Sequence, residues 1–527
     1  MFASVQTVTL SGAVGHLIDV QVDVSDGLVS TAMVGRPDTV ISESRDRCRS
    51  AVINSGHRWP VKRVTILLSP ADLPKRGPHF DLAVAIAVLV ADGEVRAVLE
   101  DWVLIGELGL DGRVRAVPGV LPMVLAASRR GARRVVVPDI QVDEAALVPD
   151  VEVYGVRSLN QLVALLTGDE IPEAPPVEPL VAAALLSWRG QNRADHVDLA
   201  DVLGMTDGRF AMEVAAAGGH HLLLTGPKGS GKTTLAERLP GLLPDLTLEE
   251  ALEVTAVHSL AGVLPPGAHM ITRPPFSAPH HSSTRTSLLG GGSGRVLPGQ
   301  VSKAHLGVLF LDEWPLFTRD IVEAFREPLE NGDVTLARGD ESATYPARGI
   351  VVLAANPCPC GFYTTTQQAP GCQCPERVRR EYRRKLTGPV IDRIDITRYV
   401  APRGPADVDP GESSAVVRRR VEAARARQHD RYRGEPWRLN AAVPGPVLRE
   451  RYPLTIEAQR RLDSATFSGR ITPRGAVRVH RLAWTLADLD SLDQPGEAEV
   501  RVALALRMGD PLPTRHHVAV QVAANDQ

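Results

Sequence analysis

The spacing of apolar and polar positions changes along the chain and divides it into segments of different kinds. From residue 1 to 168, β-like runs such as Val20–Val24 alternate with apolar helical stretches such as Phe80–Val90. This mixture predicts an α+β or α/β domain. Residues 169–195 open on a stretch with four prolines and four acids. Such a composition predicts a stiff, solvated linker.

The remaining two segments have patterns of their own. Between residues 196 and 400, short apolar strands alternate with helices and glycine-rich loops, which is typical of a parallel nucleotide-binding sheet. From 401 to 527 the sequence is rich in Arg and Ala and has helical periodicity. The chain is therefore predicted to be α/β, with a nucleotide-binding core between an N-terminal domain and a C-terminal helical region.

Composition and charge narrow the possible partners. The 527 residues are 44% hydrophobic and 23% charged, which is ordinary for globular proteins and suits about three domains. The net charge of −3 means that any binding of nucleic acid requires a local basic patch or an assembled surface. The apolar run Leu82–Ala91 is too short to span a bilayer, and residues 1–15 lack a secretion-signal pattern. We therefore expect a cytoplasmic protein with no membrane partner.

A phosphate-binding motif stands in the middle segment. Residues 226–233 read Gly-Pro-Lys-Gly-Ser-Gly-Lys-Thr, which matches GxxxxGK[ST], and follow the apolar strand His221–Thr225. In such loops the backbone amides face the phosphates, Lys232 reaches the β- and γ-phosphates, and the Thr233 hydroxyl ligates Mg²⁺. ATP and Mg²⁺ are the predicted cofactors. The candidate nucleotide-binding residues are Gly226, Pro227, Lys228, Gly229, Ser230, Gly231, Lys232, Thr233 and Thr234.

Two further apolar runs end in the polar groups that hydrolysis needs. The run Gly307–Leu311 ends in Asp312 and Glu313, the Walker B form, in which the first acid holds Mg²⁺ and the second orients the attacking water. The run Gly349–Ala355 ends in Asn356, an amide that can hold the same water as sensor 1. These residues predict hydrolysis of ATP as well as its binding.

A longer series of motifs resembles one known family. The motifs are Pro275-Phe-Ser-Ala-Pro-His-His-Ser-Ser, Leu288-Leu-Gly-Gly-Gly, Pro298-Gly-Gln, Ala304-His-Leu-Gly-Val-Leu-Phe-Leu-Asp-Glu and Ala355-Asn-Pro-Cys-Pro-Cys-Gly. Together they resemble the ComM/YifB family of magnesium-chelatase-like AAA+ proteins, and the resemblance covers nearly the whole chain.

This resemblance implies a P-loop AAA+ core with a parallel sheet, a C-terminal helical lid and a homo-hexameric ring that acts on DNA. The implied activity is ATP-driven branch migration, a helicase activity, during natural transformation and recombination. An ATPase that remodels a protein partner, as in magnesium chelatase, is the alternative. A nucleotide-dependent scaffold is disfavoured because the set of hydrolytic residues is complete.

Two arginines occupy places where proteins of this type carry functional cations. Arg393, in Gly-Pro-Val-Ile-Asp-Arg, suits an arginine finger that enters the neighbouring subunit's site, a contribution of about 10³–10⁵ in rate where it is known. Arg474 begins a predicted helix and suits sensor 2. A purely structural role, such as an intramolecular salt bridge, is the alternative for each.

The N-terminal segment resembles the proteolytic domain of Lon, a ribosomal-S5-like α+β fold. The resemblance rests on Lys75-Arg-Gly-Pro-His-Phe-Asp-Leu-Ala and on the motif that begins at Gly106-Glu-Leu-Gly. His79 and Leu121 align with the Ser and Lys of Lon's dyad, so neither nucleophile nor base is present. We therefore expect a structural or interaction domain without peptidase activity.

Four of the five cysteines form a cluster, Cys358-x-Cys360 and Cys372-x-Cys374. In a chain without a secretion signal, such a cluster is more typical of a metal site than of disulfides. Four thiolates can close a tetrahedral, structural Zn²⁺ site. Reduced thiols without a ligand are the alternative.

Two basic runs are candidates for DNA contact. The run Arg377–Lys385 has six cations and the run Arg418–Arg433 has seven, and the alternative for both is a solvated helix face or salt bridges. The segment Val334–Pro346 resembles the pre-sensor-1 hairpin, which implies that it faces the pore, with Arg338 as the predicted DNA contact. The pair His280–His281 could contact DNA, a neighbouring subunit or the core.

Overall fold

The computed structural model describes residues 1–180, 197–265, 267, 269–292, 296–338, 341–363, 371–401 and 411–513. The second half of the predicted linker, 181–195, lies outside the described residues, as do 402–410 and 514–527 of the predicted C-terminal region.

The N-terminal segment forms one mixed sheet with helices packed against it. Its strands are β1 (Phe2–Ser11), β2 (Val14–Ser25), β3 (Ser30–Val34), β4 (Arg63–Ser69), β5 (Trp102–Leu104), β6 (Glu107–Leu108), β7 (Val114–Arg115), β8 (Arg134–Pro138) and β9 (Glu152–Val156). Seven of them lie in the order β3-β4-β2-β1-β5-β8-β9, while β6 and β7 pair separately. The first three strand pairs combine parallel and antiparallel neighbours, which is the α+β arrangement that the sequence predicted.

Five helices accompany this sheet: α1 (Thr39–Asn54), α2 (Asp81–Asp92), α3 (Val120–Arg129), α4 (Val142–Ala145) and α5 (Leu159–Thr167). The side chains from Leu82 to Leu89 are all fully buried. A helix that is buried on all sides is apolar all round. Burial inside the domain therefore explains the continuous apolar run of α2, which the sequence analysis found too short to span a bilayer.

The middle segment contains the nucleotide-binding sheet. Its strands are β10 (Leu222–Thr225), β11 (Phe276–Ser277), β12 (Gly290–Gly291), β13 (Leu297–Pro298), β14 (Val308–Leu311), β15 (Asp333–Arg338), β16 (Glu341–Pro346), β17 (Ile350–Ala355) and β18 (Ile396–Tyr399). Five strands form a sheet in the order β11-β14-β17-β10-β18, and every neighbouring pair is parallel. The predicted parallel core is therefore confirmed.

The helices of this segment are α6 (Thr206–Gly218), α7 (Lys232–Leu242), α8 (Leu248–Leu260), α9 (Arg285–Leu289), α10 (Gln300–Lys303), α11 (Arg319–Ala324), α12 (Arg326–Asn331) and α13 (Glu376–Arg384). Strands β14 and β17 are buried along their whole length. Burial on both faces is the reason that they read as unbroken apolar runs rather than as alternating ones.

The C-terminal segment is helical, as predicted. Its helices are α14 (Ser414–Arg431), α15 (Gly445–Arg451), α16 (Ile456–Phe467), α17 (Pro473–Leu489) and α18 (Glu497–Met508). Val421, Val479 and Val500 belong to the same buried cluster as Leu222 and Val352 of the sheet. Among the described residues, no helix combines the length and the apolar composition that a membrane span requires.

The N-terminal domain packs against the core at two places. Leu252 and Ala256 of α8 are buried in the cluster formed by α3 and its neighbours, and the Ser259 hydroxyl donates a hydrogen bond to the buried Glu144 carboxylate at 2.5 Å. At the second place, Gly12 in the β1–β2 turn (φ 60°) is so close to β16 that a Cβ would lie 2.6 Å from the Thr344 carbonyl oxygen. The β15–β16 hairpin is therefore braced by the N-terminal domain.

Candidate nucleotide site

The phosphate-binding loop joins β10 to α7. Because β10 lies between β17 and β18, the loop leaves the carboxyl edge of the sheet beside the end of the central strand β17. Gly229 (φ 77°) and Gly231 (φ 89°) adopt left-handed backbone that glycine takes without strain, and α7 begins directly after Gly231. The Ser230 hydroxyl is buried and lacks a hydrogen-bond partner within the described part of the chain. A loop of this shape at a helix N-terminus suits a phosphate group.

Lys232 joins the loop to the end of β17. Its ammonium group donates to the carbonyl oxygens of Gly226 and Pro227, both at 2.8 Å, and to Oδ1 of Asn356 at 3.1 Å. Burial lowers the pKa of Lys232, and the nearby carboxylates of Asp312 and Glu313 oppose that effect. Three donors satisfied by neutral oxygens fix the ammonium group in the loop. The structure thus brings the predicted Lys232 and Asn356 into contact.

The Walker B acids follow β14, the neighbour of β17. The Thr233 hydroxyl donates to Oδ2 of Asp312 at 3.3 Å, and the other carboxylate oxygen accepts the backbone N–H of Glu313 at 2.8 Å. A hydroxyl and a carboxylate oxygen are ligands that Mg²⁺ takes in nucleotide sites. The two residues predicted to hold Mg²⁺ therefore lie together and fit the ion.

Glu313 has an unusual backbone and an unforeseen partner. Its φ of 51° is left-handed, a conformation that is uncommon for a residue with a side chain. Nδ1 of His281 lies 3.2 Å from Oε2 of Glu313, and the rings of His280 and His281 pack with centroids 4.0 Å apart and planes tilted by 35°. The sequence left contact with DNA, with a neighbouring subunit or with the core open for this pair. The structure shows that His281 contacts Glu313, a predicted catalytic residue of the same chain.

Arg393 lies in a short 3₁₀ turn, Ile391–Arg393. Its guanidinium pairs with the Glu330 carboxylate and donates to the Pro389 carbonyl oxygen at 2.6 Å. Within one chain it is therefore held by α12 and by its own turn. Entry into a neighbouring subunit's site stays a prediction.

Arg474 and Arg478 lie one turn apart on α17 but differ in surroundings. The Arg474 side chain is exposed, whereas Arg478 donates to Oδ1 of the buried Asp395 at 2.5 Å. Burial alone would raise the pKa of Asp395, but Arg478, with His220 and His221, holds it well below its usual range. The lid helix thus contacts the core through Arg478, a residue to which the sequence alone assigned no role.

The four clustered cysteines converge beside the nucleotide site. The sulfur atoms of Cys358, Cys360, Cys372 and Cys374 all lie within 4.8 Å of one another. Zn–S bonds of about 2.3 Å in a tetrahedron place the sulfurs about 3.8 Å apart, so this donor set fits a tetrahedral metal site. The turn that holds the first pair also contacts the phosphate-binding loop, because the Lys228 N–H donates to the Gly361 carbonyl oxygen at 3.3 Å.

The predicted hairpin is present as β15 and β16. The strands pair antiparallel, and Arg338 opposes Glu341 at the end of the ladder. The Arg338 side chain lies outside the described residues, so its contact with DNA stays a prediction. On the inner side, the Tyr345 hydroxyl donates to the Val296 carbonyl oxygen at 2.5 Å.

Comparison with known proteins agrees with this arrangement. Residues 198–407 match the family described as magnesium chelatase, subunit ChlI. Residues 20–141 match subunit ChlI of Mg-chelatase, and residues 411–507 match its C-terminal family.

Full-length relatives decide the family. The chain is 40% identical to YifB of Escherichia coli over 500 residues, covering 94% of this chain and 95% of that protein. It is 36% identical to the competence protein ComM of Haemophilus influenzae over 502 residues, with the same coverage. The chain belongs to the YifB/ComM family of magnesium-chelatase-like AAA+ ATPases. An uncharacterized protein of Mycobacterium tuberculosis, Rv2897c, is 47% identical over 504 residues, 95% of this chain and 97% of that protein.

A shorter similarity joins this YifB/ComM member to Lon. Lon protease 1 of Herpetosiphon aurantiacus is 28% identical over 177 residues, 31% of this chain and 22% of that protein. At the two positions aligned with Lon's dyad, His79 is buried with Nε2 2.7 Å from the Val8 carbonyl oxygen, and Leu121 is fully buried. Both side chains are held in the interior of the domain, and the predicted lack of peptidase activity stays a prediction.

Two contacts of this YifB/ComM site were not found from sequence: His281 with Glu313, and Arg478 with Asp395. The Pro-His-His-Ser motif marked His281 as a candidate functional residue, but the motif does not indicate that its partner is Glu313. The second had no local signal, because 83 residues separate the two members of the pair.

Proposed function

We propose that this protein is an ATP-driven motor that moves on DNA and branch-migrates joined strands. One observation supports the hydrolysis of ATP: Lys232 comes within hydrogen-bond distance of Asn356, and Thr233 within hydrogen-bond distance of Asp312, at one edge of the sheet. Membership of the YifB/ComM family supports the DNA half, and the relative named as a competence protein suggests natural transformation as the setting.

In this proposal each residue has a defined task. The loop amides and Lys232 hold the phosphates of ATP, and Thr233 and Asp312 hold Mg²⁺, which neutralises charge on the phosphates when bound. Glu313 accepts a hydrogen bond from the attacking water and orients it. Asn356, at the tip of β17, fixes the same water from the other side.

A homo-hexameric ring completes the site. Arg393 enters the neighbouring subunit's nucleotide site after release from Glu330, and Arg474 acts from the exposed start of α17 as sensor 2. Arg338, at the tip of the braced hairpin, contacts DNA in the pore.

A structural Zn²⁺ ion occupies the four-cysteine site in this proposal, because all four sulfurs converge without another ligand being needed. We expect about one equivalent of zinc per chain by metal analysis. Cys374→Ser should lose most of it, while Cys48→Ser, in the N-terminal domain, should keep it. Well under one equivalent in the unaltered protein would contradict the assignment.

The alternative is an ATPase that remodels a protein partner, which the three matches to magnesium chelatase subunit families favour. ATP turnover with and without single-stranded or branched DNA separates the two functions. The motor hypothesis expects stimulation by DNA and release of a labelled strand from a three-stranded joint. If a hexameric preparation with Mg²⁺-ATP shows neither, the DNA function is wrong.

A further inference from the structure

Helix α13 directly follows the cysteine cluster and is strongly basic. The stretch 376–385 has only two acids, Glu376 and Glu381. Its six cations are Arg377, Arg379, Arg380, Arg383, Arg384 and Lys385. Like charges three or four residues apart on a helix repel one another. The helix therefore carries a concentrated positive charge that its own acids leave largely unbalanced.

Most of these cations are exposed, and the ion pair that they form on the helix is weak. Arg380 forms an exposed pair with Glu376 at 3.5 Å, a geometry that contributes little. Arg377 and Arg384 are exposed. Lys385 is exposed as well, although its ammonium group donates to the Pro315 carbonyl oxygen at 3.1 Å.

Aromatic rings lie beside this charge. The guanidinium groups of Arg379 and Arg383 lie 4.8 and 4.5 Å from the centre of the Tyr363 ring. The neighbouring Phe362 is 43% exposed, and Val378 on the helix is 39% exposed. Exposed aromatic rings among arginines are the combination on which single-stranded nucleic acid stacks its bases and neutralises its phosphates.

The second basic run, on α14, differs. Arg420 bonds the carboxylates of Glu213 and Glu412, and Arg425 donates to the Ala216 carbonyl oxygen at 2.7 Å. Arg431 pairs with the buried Asp488. Arg420 and Arg425 thus fasten the lid to the core and Arg431 pairs within the lid, whereas the arginines of α13 face outward.

The inner face of α13 reaches the nucleotide site. Tyr382 is buried on this face, where burial raises its pKa to about 12 and the backbone of Asn356 opposes that shift. One helix therefore touches the sensor residue on one side and carries the basic surface on the other.

We propose that the outer face of α13, together with Phe362 and Tyr363, binds single-stranded nucleic acid. The arginines contact phosphates, and the exposed Phe362 ring stacks on a base. The proposal rests on the proposed DNA function and gives it a specific surface outside the hairpin. The exposed Phe362 ring, next in sequence to the Tyr363 ring that two arginines cover, favours nucleic acid over an acidic protein face, because binding an acidic face would need the positive charge alone.

The test is a salt series of binding measurements. Full-length protein with a non-hydrolysable ATP analogue is titrated into a labelled oligothymidylate, and fluorescence anisotropy gives the affinity at each salt concentration. The triple variant Arg377→Gln, Arg380→Gln, Arg384→Gln should flatten the slope of log affinity against log salt by about 2, since each phosphate contact to a single strand contributes about 0.7. Phe362→Ala should weaken binding by about tenfold and leave the slope unchanged.

The matched control is Arg419→Gln, an exposed arginine on α14, which should change neither affinity nor slope. An unchanged slope in the triple variant, together with unchanged affinity in Phe362→Ala, overturns the proposal. A triple variant that loses ring assembly while its chains keep the wild-type slope also overturns it and makes α13 a subunit interface. If the unaltered protein binds no oligonucleotide and shows no DNA-stimulated turnover, the proposed DNA function is wrong. If it binds, and the triple variant and Phe362→Ala bind with the same affinity and salt slope, only the assignment of this surface is wrong.

Discussion

At the scale of single residues, the nucleotide site depends on contacts between groups from three strand ends. Lys232, Asp312 and Asn356 follow or lie next to the ends of β10, β14 and β17. Because these strands are parallel and adjacent, their carboxyl ends meet at one edge. Each motif was visible in the sequence, and the sheet order places them within reach of one another.

The first prediction concerns the catalytic base. Glu313→Gln keeps the size of the side chain but removes the carboxylate that accepts the proton of water. We expect ATP binding to persist and turnover to fall by about 10²–10⁴, measured as ATP affinity and as the rate of phosphate release. Turnover near that of the unaltered enzyme would refute the assignment.

The second prediction concerns His281, which holds the Glu313 carboxylate. A polar contact at this distance contributes about 1 kcal/mol, so we expect His281→Ala to lower kcat about fivefold with little change in the KM for ATP. His280→Ala is the control, because the His280 ring packs against that of His281 and its Nδ1 pairs with the Ser282 hydroxyl rather than with Glu313. An equal loss of kcat in both variants would show that the pair acts only through packing.

At the scale of elements, α17 attaches the lid to the core through Asp395. The carboxylate is buried, and it accepts hydrogen bonds from Arg478 and from the His221 backbone at 3.2 Å. Its position two residues after Arg393 links the lid to the segment that carries the predicted finger. A shift of the lid would therefore reach Arg393 through a single short turn.

The third prediction compares two arginines on one helix. Arg478→Gln leaves the buried Asp395 carboxylate without its cation, and we expect a loss of about 3 kcal/mol of unfolding free energy. Arg474→Gln, on the exposed face one turn earlier, should stay within about 0.5 kcal/mol and yet lower ATP turnover if Arg474 is sensor 2. Calorimetry gives the stabilities, and equal melting temperatures for the two variants would contradict the role of the ion pair.

The same pair predicts a dependence on pH. The folded-state pKa of Asp395 is depressed, so its contribution to stability is present above the unfolded pKa of about 3.9 and is lost as the pH falls below it. The gap in melting temperature between the unaltered protein and Arg478→Gln should therefore narrow below about pH 4. A difference in melting temperature that stays constant between pH 7 and pH 3 would show that the Arg478–Asp395 ion pair is not its cause.

At the scale of the whole molecule, three parts of the structure contact the nucleotide-binding core. The N-terminal domain braces the β15–β16 hairpin, the lid attaches through α17, and the cysteine cluster contacts the phosphate-binding loop. The proposed motor function requires such couplings, because nucleotide turnover must change the position of the surface that holds the substrate.

The fourth prediction tests assembly of the site between subunits. Lys232→Ala should abolish turnover at its own site, and Arg393→Ala should abolish it at the neighbour's. If Arg393 acts in trans, mixed rings of the two variants should regain activity, because some sites combine an intact Lys232 with an intact Arg393 from the next subunit. Mixing without any recovery, in rings shown to exchange subunits, would assign Arg393 to its own chain.

Much of this protein could be predicted from sequence because its signals are local. The phosphate-binding loop needs glycines, a lysine and a threonine at fixed spacing, and a buried parallel strand needs an unbroken apolar run. These requirements act within a few residues, so Gly226–Thr233, β14 and β17 were recognisable with their polar termini. The cysteine pairs were recognisable for the same reason.

The tertiary structure decided what depends on distant partners. Two basic runs look alike in the sequence, but the run on α14 finds carboxylates and carbonyl groups far along the chain, whereas the run on α13 faces outward. Arg478 rather than Arg474 reaches Asp395, and His281 rather than His280 reaches Glu313. The sequence determines which side chains are charged, but it does not determine their partners. Those partners are decided only when the fold brings distant segments of the chain together.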